Sequence, residues 1–164
     1  MLENLIVRIA TRDDAKEIAA FNVLFAKETV NKNIPLALTT EGVHQVFAKF
    51  HNGFYIIATV EGTIVGLAMI TREWSDWSNG AFYCIQSIFV TDHEHEKEIH
   101  DALLDKAKAL AKEHYDVCGI RLFVHQEEKA VQEAYEIIED NPIDIIITDL
   151  YMPKTIKFYH VLSD

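Results

Sequence analysis

The chain opens on LIVRIA (5–10), apolar except for one arginine, and this pattern predicts a short strand. Thr11 followed by Asp14 resembles a capping box, with aspartate where glutamate is the stronger partner. Behind it Ala15, Ile18, Ala19, Phe21, Val23, Leu24 and Phe25 keep mostly helical spacing to about Thr29. NKNIP reads as a loop, and TTEGVHQVFAKF (39–50) as a second, shorter helix. Gly53 opens GFYIIATV, and EGT turns it into IVGLAMITRE, a hairpin pattern. SDWSNG is a turn before AFYCIQSIFV (81–90), the fourth strand.

From Glu94 to His114 the spacing predicts a helix, with Ile99, Ala102, Leu103, Ala107 and Leu110 on one face. CGIRLFV (118–124) is a fifth strand, and EEKAVQEAYEIIED (127–140) a helix that Asn141-Pro142 stops. IDIIITDLYM (143–152) and TIKFYHVLS (155–163), separated by Pro153-Lys154, look like a final strand pair. Ile143, Ile145 and Ile147 alternate with Asp144, Ile146 and Thr148, so both faces are fairly apolar and a covered strand is expected. No linker, repeat or low-complexity segment appears, which implies one mixed α/β domain over residues 1–164 with a largely antiparallel first half.

Composition narrows the class of function. A length of 164 residues, 49% of them apolar, suffices for a real core. No apolar run reaches the roughly 18–20 residues of a membrane span, and MLENLIVRIA lacks a signal-peptide pattern. Cys84 and Cys118 fall inside predicted strands, which favours buried thiols over a disulfide and a cytoplasmic setting. Lysine plus arginine number 15 against 26 acidic residues, a net charge of −11 that argues against nucleic acid as a partner.

The stretch VTDHEHEKEIHDALL (90–104) carries the densest chemistry. Between Asp92 and Asp101 lie Asp92, Glu94, Glu96, Glu98 and Asp101 against Lys97, so the segment is −4 with neutral histidines. A zinc-binding helix needs histidines one turn apart; His93 and His95 are too close and His100 lies off that spacing, so no metal is expected. Carboxylates at a helix start stabilise that end, so a capped, solvated helix start accounts for the residues.

The segments IVRIATRDDAKEIAAFN, GFYIIATVEGTIVGLAMITREWSDWSNGAFYCIQSIFV and GIRLFV together resemble the GNAT superfamily of acetyl-CoA-dependent N-acetyltransferases. EWSDWSNG before an aromatic strand and IQSIFV is similar to one bacterial subgroup of it. The resemblance covers residues 5 to 90 well and thins afterwards. It implies a twisted mixed sheet of about seven strands flanked by about four helices. It also implies that the fourth strand splays from the fifth and receives the acetyl-pantetheine arm on the backbone of Ile88, Phe89 and Val90. The family's pyrophosphate loop, Arg/Gln-x-x-Gly-x-Gly/Ala, would place arginine at His95 and small residues at Glu98 and His100. All three positions depart from the pattern, so weak acetyl-CoA affinity is expected.

The same resemblance places Tyr135 where many members protonate the departing thiolate. The asparagine that often opens that helix is Glu128 here, and the glycine that ends it is replaced within Ile138-Glu139-Asp140. Glu73 and Asp76 would border the acceptor, Glu73 as a base toward a small amine. Trp74 and Trp77 would either wall the acceptor pocket or pack beside the sheet. A second, shorter likeness is EAYEIIEDNPIDIIITDLYMPK, which resembles the helix and phosphoacceptor strand of a response-regulator receiver, with Asp149 at the phosphorylated position. The other receiver elements are missing. That fragment, and the scarcity of glycine after Gly80, suggest a recombined or engineered chain. Two functions follow: an N-acetyltransferase of weakened activity, or a non-catalytic domain of the same fold, diverged or engineered.

Overall fold

Near-continuous apolar runs in the hairpin and i, i+3, i+4 spacing in the helices mark the buried positions, and the computed structural model bears out the element order over the residues it describes. It describes residues 2–123 and 144–148. The order is β1 (Leu5–Ile9), α1 (Ala15–Val30), α2 (Leu36–Ala48), β2 (Phe54–Val60), β3 (Thr63–Ser75), β4 (Gly80–Val90), α3 (Glu96–Glu113), β5 (Val117–Phe123) and β6 (Asp144–Thr148). The six strands form one sheet in the order β1-β2-β3-β4-β5-β6. This is an α/β fold with three α-helices among the described residues. The helix expected over 127–140 and the last strand expected over 155–163 lie outside the described residues.

Two compact units are present: Met1–Thr71 with Ser87–Ala107, and Arg72–Gln86 with the chain from Lys108 onward. In the first, β1 pairs antiparallel with β2, and β2 with β3. Glu61 and Gly62 both take positive φ, 50° and 83°, the backbone that a tight two-residue hairpin turn demands. Ala15, Ile18, Ala19 and Phe21 of α1 and Val43 of α2 cluster with Tyr55, Ile57 and Leu67 on one sheet face. On the other face a Cβ added to Gly66 would stand 2.6 Å from Ile99 Cγ2 and 3.2 Å from Leu103 Cδ1. Gly66 therefore lets α3 lie close against β3 and sets the height of the loop that enters it.

The second unit holds the parallel part of the sheet. β4 pairs with β5 from Ala81↔Val117 to Ile85↔Leu122, and β5 with β6 from Gly119↔Asp144 to Phe123↔Thr148. β4 itself extends to Val90.

Several local expectations need revision. α2 begins at Leu36, not Thr39, because Pro35 serves as its N-cap and its carbonyl accepts the Thr39 N–H at 3.1 Å. The Thr39 and Thr40 hydroxyls donate back to the carbonyls of Pro35 and Leu36, so these threonines sit inside the first turn. Leu24, expected on the inner face of α1, is exposed. No helix among the described residues is long and apolar enough to cross a membrane.

Asp14 ties β1 to the start of α1. Its carboxylate accepts two hydrogen bonds from the Arg8 guanidinium, each 2.8 Å, and the Thr11 N–H at 2.7 Å. These contacts, the Arg8 hydrogen bonds first, hold its carboxyl at about 2, below the ordinary 3.8. A depressed carboxyl stabilises the fold above the unfolded-state value and loses that contribution as pH falls through about 2. Asp14→Asn should cost about 1 kcal/mol at pH 7 in urea unfolding. The gap between variant and parent should close between about pH 4 and pH 2, and a gap independent of pH would refute the ion-pair account.

Candidate functional site

The residues singled out in sequence fall into two groups, one in each unit. In the first unit β4 ends on Ile88, Phe89 and Val90. Phe89 packs its ring against Phe21 and Phe25 of α1, with centroids 5.2 and 5.0 Å away. Alternation turns Ile88 and Val90 to the opposite face, where Val90 is buried. Thr91 then bends the chain, its N–H donating to the Val65 carbonyl at 2.9 Å.

Asp92 organises the loop that follows. One of its carboxylate oxygens accepts the N–H groups of Glu94 and His95, at 3.1 and 3.2 Å. The other lies 3.0 Å from His95 Nδ1. The His95 carbonyl accepts the Ile99 N–H at 3.0 Å, the first hydrogen bond of the helix. Bonding to His95, reinforced by these backbone N–H groups, holds the Asp92 carboxyl below its ordinary range, so it is anionic at neutral pH. Glu98, one turn into α3, accepts the Leu2 N–H at 2.8 Å. His100 Nδ1 lies 3.8 Å from Asp101, and His93 Nδ1 lies 3.9 Å from Glu96. The segment that would cradle a pyrophosphate is thus lined with carboxylates, and one of them already takes two of its backbone donors. Its residues do not fit a polyphosphate.

The second group surrounds Glu73. Arg121 of β5 places Nη1 at 2.6 Å from one Glu73 oxygen, and its guanidinium lies over the Phe82 ring, 4.1 Å from the centroid. The Cys84 thiol donates to the other Glu73 oxygen at 3.6 Å. Phe82, Cys84 and the packed Cys118 form the apolar floor of this group, and neither cysteine is in a disulfide. Burial, with the adjacent carboxylate, pushes the Cys84 thiol up to about 11, so it is an unreactive protonated group at neutral pH. On Glu73 the hydrogen bond from Arg121 outweighs desolvation and lowers the carboxyl. A carboxylate so stabilised is a poorer base than the sequence led one to expect of Glu73.

Trp74 is 63% exposed and Trp77 95% exposed. Packing beside the sheet, one of the roles expected of them, is not what they do. The turn after β3 is closed by the Ser78 N–H bonding to Ser75 Oγ and by left-handed Asn79, and it carries Trp77 outward. Tyr135 and Asp149 lie outside the described residues. No cluster of three or more histidine, cysteine or acidic side chains suited to a metal occurs among the described residues. Sequence reasoning missed Asp92 and Arg121. The signals were an aspartate just ahead of a helix, and a lone cation inside the apolar strand CGIRLFV.

Replacing Arg121 with methionine keeps bulk over Phe82 and removes the partner of Glu73. In Arg121→Met the Glu73 carboxyl should titrate at higher pH than in the parent, as followed by carboxyl carbon NMR. An unchanged titration would show that the pair does not govern Glu73.

Comparison with known proteins identifies the family. A profile of the Acetyltransferase (GNAT) family matches residues 22–137. A possible acetyltransferase from Clostridium difficile 630 is 32% identical, with a TM-score of 0.73 over 94% of this chain and 100% of that one. A probable acetyltransferase is 16% identical, with a TM-score of 0.72 over 97% and 99%. The aminoglycoside acetyltransferase meta-AAC0020 from an uncultured soil metagenomic sample, in complex with sisomicin, is 16% identical, with a TM-score of 0.62 over 98% and 97%. A search of curated proteins returned no match. The family profile spans most of the chain and the 32%-identical structure nearly all of it: the chain belongs to the GNAT acetyltransferase family.

Proposed function

We propose that the chain moves an acetyl group from an acetyl-pantetheine thioester, acetyl-CoA being the familiar one, to a small amine. The observation that carries this reading is the end of β4, which reaches Val90 and is anchored by Phe89 against α1, in a chain of the GNAT acetyltransferase family. Strand backbone in that position offers N–H and C=O groups to a ligand whatever the side chains are. On this reading Ile88 and Val90 hold the amides of the pantetheine arm. The amine nitrogen attacks the thioester carbonyl carbon. The cationic amine first releases one proton to water; on attack a C–N bond forms and the C–S bond breaks, the nitrogen gives up a second proton and the departing sulfur takes one.

Tyr135 is the residue we assign to protonate the sulfur. Glu73, with its lowered basicity, draws in the cationic amine instead of removing its proton. Trp74 and Trp77 lie close to it in sequence and offer aromatic faces to the acceptor. The acidic segment 92–101 repels the phosphates of acetyl-CoA, so the Michaelis constant for the whole cofactor is high. The second reading, a domain that has kept the architecture and lost catalysis, is favoured by one observation: the Asp92 carboxylate takes the loop N–H groups.

Thiol release from millimolar acetyl-CoA, measured over a panel of amino acids, polyamines and aminoglycosides, separates the two. The transferase reading expects release that depends on one class of amine. Tyr135→Phe should then lower kcat by roughly ten- to a thousandfold, and Glu73→Gln should raise the acceptor KM more than it lowers kcat. No amine-dependent release across the panel would favour the non-catalytic reading.

A further inference from the structure

We propose that Asp92 stands in for the donor's pyrophosphate, so the site recognises the pantetheine thioester and does not read the nucleotide half of coenzyme A. The inference rests on the transferase reading above and names its donor class: small acyl-pantetheine thioesters, with or without a nucleotide.

A polyphosphate held at a loop and helix start needs backbone N–H groups aimed at it, room for close approach, and a favourable potential. Each is curtailed here. The N–H groups of Glu94 and His95 already end on one Asp92 oxygen, and the His95 imidazole faces the other. A phosphate oxygen would have to displace a carboxylate from the same donors, an exchange that gains no hydrogen bond and brings two anions together. Room is lacking because the positions where the family pattern has small residues are Glu98 and His100. The Glu98 carboxylate is itself held by the Leu2 N–H, which keeps a negative charge on the first turn of α3. Lys97 is the one cation between Asp92 and Asp101, and its Nζ is 3.9 Å from Asp101.

None of these obstacles touches the pantetheine end. Thr91 is fixed to Val65 and Phe89 to α1, so the end of β4 is positioned independently of what the loop binds. Cutting away the nucleotide should therefore cost this site no affinity, because the contacts given up were never made.

Calorimetric titration of the full chain at neutral pH, with acetyl-CoA, S-acetyl-pantetheine and adenosine 3′,5′-bisphosphate as probes, tests the inference without needing the acceptor. S-acetyl-pantetheine should bind at least as tightly as acetyl-CoA, whose phosphates the loop repels, and the bisphosphate should give no binding. Asp92→Asn keeps the shape and an acceptor oxygen while removing the charge. It should improve acetyl-CoA binding by about tenfold and leave S-acetyl-pantetheine unchanged, and Asp92→Ser, which also caps, should do the same. A preference of about a hundredfold or more for acetyl-CoA over S-acetyl-pantetheine would overturn the inference while leaving the transferase reading intact. Binding of neither thioester would overturn both.

Discussion

Everything proposed for this chain depends on how the end of β4 is held. The strand reaches Val90, and its extended backbone carries N–H and C=O groups that demand partners. Phe89 resists collapse of this segment by keying its ring between Phe21 and Phe25. The side chains needed to hold the segment are thus ordinary core aromatics, while the groups offered to a ligand are main chain.

The loop after β4 is governed by packing on one side and charge on the other. Gly66 brings Ile99 and Leu103 against β3, which fixes the start of α3 and with it the path from Thr91 to His95. Within that path Asp92 accepts the N–H groups of Glu94 and His95, just ahead of α3, and so ties down the approach to the helix from within the chain.

Much of the architecture was legible from the pattern of apolar positions, because both faces of the hairpin are covered and the helices carry clear inward stripes. The α2 boundary was not, since Thr39 and Thr40 look like helix starters and instead bond back to Pro35 and Leu36. The candidate site was half legible. His95, Glu98 and His100 stand out in sequence because they break a motif, and Glu73 because it is charged. What they pair with depends on register: Arg121 is level with Cys84 only because β4 and β5 are parallel, and that brings it onto Glu73. Ile88, Phe89 and Val90 are unremarkable as residues, and no side-chain pattern announces that main-chain groups are what they offer.

The central claim is that a donor thioester is held by the backbone of β4 and ignored by the loop after it. Amide hydrogen exchange, resolved residue by residue with and without saturating acetyl-CoA, tests this most directly. The account predicts slowed exchange at Ile88 to Val90 and no change at Glu94 and His95, whose N–H groups are already bonded to Asp92. Protection of Glu94 and His95 with none at Ile88 to Val90 would contradict it.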